Sequence, residues 1–331
     1  MQPLLTIDNL AVAFDTYAGQ VQAVRGISFI MLPGEAVGLV GESGCGKSVT
    51  AHAIMQLITR PPGRYASGKI DFAGTDLLQL PETALEKIRG NTISMIFQDP
   101  MTSLNPVLTV GRQIAEALEL HQKLSKRQAA ERVVELLELV GIPAAQERSR
   151  NYPHQFSGGM RQRAMIAMAL ACNPRLLLAD EPTTALDVTL QAQILDLLKE
   201  LQVKFNTAIL FISHDLGAVA ELCSQVHVMY AGKIVESAAT ADLFANPQHP
   251  YTKGLLAAVP RLDSDEKMPL AIIDGQPPNL LQPPTGCPFH PRCPQAMQIC
   301  TEDYPETIKL HAKHSLACWL QHPAAPKPDR E

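Results

Sequence analysis

Eight residues, Gly41 to Ser48, read GESGCGKS. They satisfy the spacing G-x-x-x-x-G-K-[ST], a phosphate-binding pattern when a strand precedes it and a helix follows. The glycines let successive backbone N–H groups turn inward onto phosphate oxygens, and the helix start adds a favourable field. Lys47 would reach the β- and γ-phosphates of ATP, and the Ser48 hydroxyl would ligate Mg2+. Gly41, Ser43, Gly44, Cys45, Gly46, Lys47, Ser48 and Val49 are therefore the candidate nucleotide-binding residues of this stretch. The cradle does not need the Cys45 side chain. Beside a helix start and a lysine, that thiol is expected to ionise more readily than a free one.

Further along, LLLADE (Leu176 to Glu181) is an apolar run ending in two carboxylates. Asp180 suits a contact to magnesium, and Glu181 is placed to polarise a water for in-line attack on the γ-phosphate. Many strands end in acidic loops, so the run gains weight only from lying downstream of a phosphate loop. Between the two lies QFSGGMRQR (Gln155 to Arg163), whose Ser-Gly-Gly before a helix is a second anion-binding N-terminus or, standing alone, an ordinary cap.

A third group sits in the tail. Cys287, Cys293, Cys300 and Cys318 follow C-x5-C-x6-C-x17-C, looser than the paired spacings of structural zinc sites. Four thiolates suit an iron–sulfur cluster, whose ligand spacings vary more widely, while zinc and unliganded thiols stay open. His290, His311 and His314 lie nearby and read as solvated, whereas Cys172 and Cys223 read as buried apolar-face residues.

These groups need elements to hold them. LLTIDNLAVAF, GISFIML and EAVGLVG have the patterning of strands, the last leading directly into the phosphate loop and a helix. GKIDFAG and ISMIFQ are further strands, and residues 110 to 140 carry two amphipathic helical patterns separated by KLSKRQ. From 158 onward helix and strand alternate through LLLAD, a helix from Thr189 to Lys204, TAILFIS and VHVMYAG, which predicts a mostly parallel sheet covered by helices. After Phe244 proline accumulates, so a boundary is set near residue 246, and the closing HPAAPKPDRE is expected to be disordered.

The whole chain has 331 residues, 46% of them apolar, and a net charge of −5 with no long basic block, which gives no footprint for nucleic acid or an acidic membrane surface. The N-terminus lacks the pattern of a signal peptide, and no apolar run approaches the ~18 residues needed to span a bilayer. A cytosolic chain is expected, in which structural disulfides are disfavoured.

With these motifs in order, the sequence resembles the ATP-binding-cassette (ABC) ATPases. Ser157, Gly158 and Gly159 match the signature motif of that family, with Phe156 and Met160 replacing its usual leucine and glutamine. The resemblance implies that Gln98, ending ISMIFQ, senses magnesium and the attacking water. It implies that Asp187 of TTALD lies across a dimer interface, that His214 of ISHD contacts the γ-phosphate, and that Phe14, with Tyr17 as the alternative, stacks on adenine. Two such cassettes pair head to tail around ATP. A soluble cassette ATPase of translation or repair would carry two cassettes or a long coiled-coil insertion, and a nonhydrolytic cassette would lack Lys47, Asp180, Glu181 or His214.

QDPMTSLNP, HPYTKGLLAAVP and the proline-rich GQPPNLLQPPTGCPFHPRCPQAMQIC narrow the resemblance to the ATPases of oligopeptide and dipeptide importers, with nickel, glutathione or similar cargo as the alternative. It implies an α/β P-loop fold: residues 1–246 form a nucleotide-binding domain with an antiparallel β subdomain and a helical subdomain at about 100–170, and 247–331 a small Cys/Pro-rich extension. It further implies a [4Fe–4S] cluster on Cys287, Cys293, Cys300 and Cys318. The implied partners are a second, nonidentical ATPase subunit, two membrane permeases and, indirectly, an extracytoplasmic peptide-binding protein. The implied location is peripheral, on the cytoplasmic face of the plasma membrane.

Overall fold

The computed structural model describes residues 2–99, 103–184, 186–258 and 273–325. Its strands are β1 (Leu5–Thr16), β2 (Gly19–Met31), β3 (Ala36–Val40), β4 (Gly63–Phe72), β5 (Thr75–Asp76), β6 (Ile93–Ile96), β7 (Leu176–Asp180), β8 (Ala208–Ser213), β9 (Gln225–Tyr230), β10 (Lys233–Ala239), β11 (Ile308–His311) and β12 (His314–Leu316). The chain divides into two compact units, one of Leu5–Ile30, Val37–Thr75 and Ser213–Glu331, the other of Met1–Leu4, Met31–Ala36 and Asp76–Ile212. The disorder expected for the last residues falls mostly on 326–331, outside the described residues.

The first unit carries the phosphate loop. β1 pairs antiparallel with β4, from Leu5 opposite Phe72 to Phe14 opposite Gly63, and its apolar residues alternate inward as the sequence pattern requires. β3, AVGLV, is buried at every position and runs parallel to β9. Such a strand reads as one unbroken apolar run because both its faces are covered. β10 turns back along β9, and the tail strands continue this ladder, with Glu236 opposite Leu316 in the β10–β12 pair and β11 beside β12. The proline-rich tail thus closes on a hairpin added to a sheet.

Glu236 is fully buried beneath that junction. Its carboxylate accepts from the backbone N–H groups of Gln248 at 2.8 Å and His249 at 2.9 Å, and Oε1 lies 2.8 Å from His314 Nε2. His314 is only 2% exposed, so the expectation of a solvated histidine is corrected. A buried carboxylate needs such partners, and His314 supplies one from the added hairpin.

Two other buried histidines in this unit set a pH limit. His227 Nδ1 lies 2.7 Å from Ser237 Oγ, and His249 Nδ1 accepts from the Tyr251 N–H at 3.0 Å. Their Nε2 atoms are buried with no hydrogen-bond partner among the described residues, and burial pulls the pKa of His227 down to about 4 and that of His249 to about 3. Both rings are neutral in the fold at a pH where the unfolded chain, titrating near ~6.5, already binds a proton. The unfolded state therefore holds more protons between pH 6.5 and about 4. Stability is lost as pH falls through that window, by about 1.4 kcal/mol per pH unit for each histidine. Calorimetric melting across it should show a falling midpoint, and His227→Gln should flatten the slope; an unaltered slope would remove His227 from the account.

The second unit holds the parallel set β6-β7-β8, registered with Ile93 opposite Leu176 and Leu176 opposite Ala208. β7 and β8 are buried throughout, and Leu177 and Leu178 are at most 1% exposed. Helices Val110–His121, Lys126–Leu139 and Gly158–Leu170 appear where the apolar spacing predicts them. Ser125 and Gln128 form a reciprocal capping box that starts the second of these. Helix Val188–Phe205 begins on Asp187, whose Oδ1 accepts the Leu190 N–H at 2.9 Å, and stops at Asn206 in the left-handed region.

Candidate nucleotide site

The phosphate loop follows β3 and ends in helix Lys47–Ile54, the context its pattern requires. Two glycines are mandatory for steric reasons. A Cβ on Gly41 (φ 150°) would lie 2.1 Å from the Met229 carbonyl oxygen, and one on Gly46 (φ 104°) would lie 2.3 Å from that of Ala23. Gly44, by contrast, has open space where a Cβ would stand.

Lys47 is 5% exposed. Its ammonium donates to the carbonyl oxygens of Gly41 at 2.7 Å and Glu42 at 2.9 Å and stands 3.8 Å from Cys45 Sγ, which aims the side chain back across the loop. Cys45 is also only 5% exposed. Burial drives its thiol pKa up, and the nearby Lys47 offsets this only in part. The expectation of an easily ionised Cys45 is corrected: desolvation outweighs the lysine and the helix start.

The acidic strand end belongs to the second unit. Asp180 is 3% exposed, and Glu181 follows in the left-handed region (φ 48°) with its N–H held by the Ile212 carbonyl at 2.9 Å. Glu181 Oε2 accepts from Gln98 Nε2 and from Thr184 Oγ1, each at 2.9 Å. Gln98 and Glu181, separated by 83 residues, are thus brought together. Thr184 is a partner that sequence reasoning did not single out; its place three residues after Glu181 is the local signal that could have found it.

Ser157 caps helix Gly158–Leu170 by accepting the Met160 N–H at 3.3 Å, so the local cap expected of a serine there is present. Gly158 has open space where a Cβ would stand, whereas Gly159 packs against Leu190. Arg161 folds back on this turn, donating from Nε to the carbonyls of Pro153 and Phe156. Asp187 is committed to its helix cap. In the first unit His214 is exposed at the end of β8, Phe14 is half-buried opposite Gly63, and Tyr17 is fully exposed.

Among the described residues no group of three or more His, Cys, Asp or Glu side chains could hold a metal ion. Magnesium does not need one, because it binds through one or two protein oxygens together with nucleotide phosphates and water.

The cluster expectation is different, because all four of its ligands must come from Cys287, Cys293, Cys300 and Cys318. The Cys287 N–H donates to the Cys300 carbonyl at 2.9 Å, which ties two of the four together. Burial, reinforced by the neighbouring sulfurs, raises Cys287 to about 12 and Cys318 to about 11, which keeps these thiols protonated. A [4Fe–4S] cluster is not supported by this arrangement: among the described residues no three such side chains stand together as a ligand set, and Cys293, unlike the other three, is only partly buried. Cys172 and Cys223 are buried as expected.

Comparison with known proteins gives a consistent picture. A family model described as ABC transporter matches residues 24–184, and one described as the C-terminal region of oligopeptide/dipeptide transporters matches 235–300. The chain is 55% identical to the oligopeptide transport ATP-binding protein OppD of Bacillus subtilis, over 98% of this chain and 90% of that protein. It is 54% identical to the dipeptide transport ATP-binding protein DppD of the same organism, over 97% and 96%. Among solved structures, the dimeric post-hydrolysis ATP-binding cassette MJ0796 with ADP and Pi is similar at a TM-score of 0.65 and 26% identity, covering 71% of this chain and 98% of that one.

Proposed function

The chain belongs to the ABC transporter ATP-binding proteins and carries the C-terminal region of their oligopeptide/dipeptide branch, and from that premise we propose that it is the ATP-hydrolysing subunit of a peptide importer. The observation that carries the reading is similarity along nearly the whole chain, tail included, at 55% identity.

In this reading Gly41, Ser43, Gly44, Cys45, Gly46, Lys47, Ser48 and Val49 cradle the phosphates of ATP, and Phe14 stacks on its base. Magnesium, when bound, offsets phosphate charge. Ser48, Gln98 and Asp180 orient it, Glu181 takes the proton of the attacking water, and His214 donates to the γ-phosphate. The bond from Gln98 to Glu181 supports this division of roles, since it fixes the carboxylate at the buried end of β7. Ser157, Gly158, Gly159 and Asp187 serve the nucleotide held by a partner cassette; the exposed space over Gly158 supports that assignment.

Residues 1–246 act as the nucleotide-binding domain and 247–331 as an extension. No helix among the described residues is long and apolar enough to cross a membrane. In this reading two membrane permeases supply the pathway. The chain sits against them at the cytoplasmic face, paired with a second related ATPase and fed by an extracytoplasmic binding protein. ATP turnover by the assembled complex, and uptake of labelled di- and pentapeptides with and without this chain, test the proposal. Peptide uptake that persists without the chain would refute it, and the two peptide lengths separate oligopeptide from dipeptide cargo.

The four-cysteine tail is tested by iron, acid-labile sulfide and zinc content after anaerobic purification. Stoichiometric metal that is lost when Cys287 and Cys293 are replaced would mean that the sulfurs close on a centre the present arrangement lacks.

A further inference from the structure

Glu42, the second residue of the phosphate loop, is gripped on three sides within the first unit. Its carboxylate takes a two-pronged bond from Arg292, at 2.6 Å from Nη1 and 3.0 Å from Nη2. Its N–H donates to Tyr251 Oη at 2.8 Å, and its carbonyl accepts from Lys47 Nζ at 2.9 Å. Arg292 and Tyr251 both come from beyond residue 246. We propose that Arg292 is a positioning residue for ATP binding: through Glu42 the C-terminal extension holds the phosphate loop, and with it Lys47, in the shape that receives the phosphates.

The guanidinium is built into its place. Its side chain is 5% exposed, Nε donates to the Asp274 carbonyl at 2.9 Å, Nη2 to that of Ile273 at 3.1 Å, and Nη1 to Tyr230 Oη at 3.2 Å. The turn His290–Arg292 that presents it is pinned by the Cys287–Cys300 backbone bond, and by Phe289, whose ring lies 5.3 Å from that of Tyr230 and 5.4 Å from that of Tyr251. A bidentate fork fixes direction as well as distance, which a lysine cannot do. The Glu42 carbonyl is one of the oxygens that hold the Lys47 ammonium, so a shift of Glu42 moves the group that would meet the phosphates. No part of this linkage requires a metal in the tail.

The inference rests on the chain binding ATP as proposed, so the first arm of the test is the unaltered full-length chain titrated with a fluorescent ATP analogue. Failure to bind there would count against the proposed function itself. Given binding, Arg292→Lys keeps the charge and loses the fork, and the analogue's Kd should rise about 10-fold, the scale of ordinary coupling between sites. In a Glu42→Gln background the same Arg292→Lys change should alter Kd less than about 2-fold, because the linkage is already broken. Tyr251→Phe, which removes only the hydroxyl that meets the Glu42 N–H, should also weaken binding while leaving the melting midpoint near that of the parent, and it keeps the test decisive if a charge variant misfolds. In the assembled complex KM for ATP should rise with kcat at saturation retained. An unchanged Kd in Arg292→Lys and Tyr251→Phe, or an equal effect of Arg292→Lys in both backgrounds, would overturn the proposal.

Discussion

Replacing Glu181 with glutamine lowers ATP turnover by about 10³-fold, within the range that a positioned general base contributes, and leaves ATP binding almost intact. The amide has the shape of the carboxylate, and its oxygen can still accept from Gln98 Nε2 and Thr184 Oγ1, which both converge on Oε2 at 2.9 Å. The left-handed backbone at Glu181 and its N–H bond to Ile212 do not involve the side chain, so the fold is undisturbed. What disappears is the group able to take a proton from water. The variant should therefore hold ATP and stay closed on its partner, as seen by trapped nucleotide in the assembled complex. Turnover within about tenfold of the parent would assign the base elsewhere.

The parts of this site that were legible in the sequence are those encoded over short stretches. The phosphate loop is readable because a strand, glycines at fixed offsets and a helix start all fall within a dozen residues, and Gly41 and Gly46 each answer a specific steric conflict. β7 was readable because a strand covered on both faces is simply an apolar run, and its end carries the acids.

What escaped notice depends on partners remote in the chain. β12 is three residues long and is made a strand by its neighbours β10, with Glu236 opposite Leu316, and β11; alone, the tail's prolines read as loop. Arg292 and Glu42 lie 250 positions apart, and neither carries a local sign of the other. Cys45 was misjudged for the same reason. The lysine and the helix start are visible in the sequence, whereas the packing that buries the thiol and reverses their effect is not. His314 follows that pattern too, since its partner Glu236 is supplied by a strand 78 residues earlier.

Lys47→Met should weaken ATP binding by about 10²-fold, which corresponds to the loss of one or two charge-assisted bonds to phosphate at roughly 1.5–3 kcal/mol each. Methionine fills most of the buried volume, so the loop keeps its packing while losing the ammonium. Two consequences compete. The charge that would meet the β- and γ-phosphates is gone, and the carbonyls of Gly41 and Glu42 lose the donor that now spans them at 2.7 and 2.9 Å. A series of ATP, ADP and AMP separates them. If the lysine acts on the phosphates, the loss is large for ATP and ADP and nearly absent for AMP, which has neither outer phosphate. If it acts mainly by holding the loop, all three weaken together. Lys47→Arg should not rescue binding, because a planar guanidinium cannot replace a compact ammonium at a position only 5% exposed between two loop carbonyls. The first pattern is the one expected: Glu42 is held by Arg292 and Tyr251 without the lysine, so the loop has supports of its own and the ammonium is left to the phosphates.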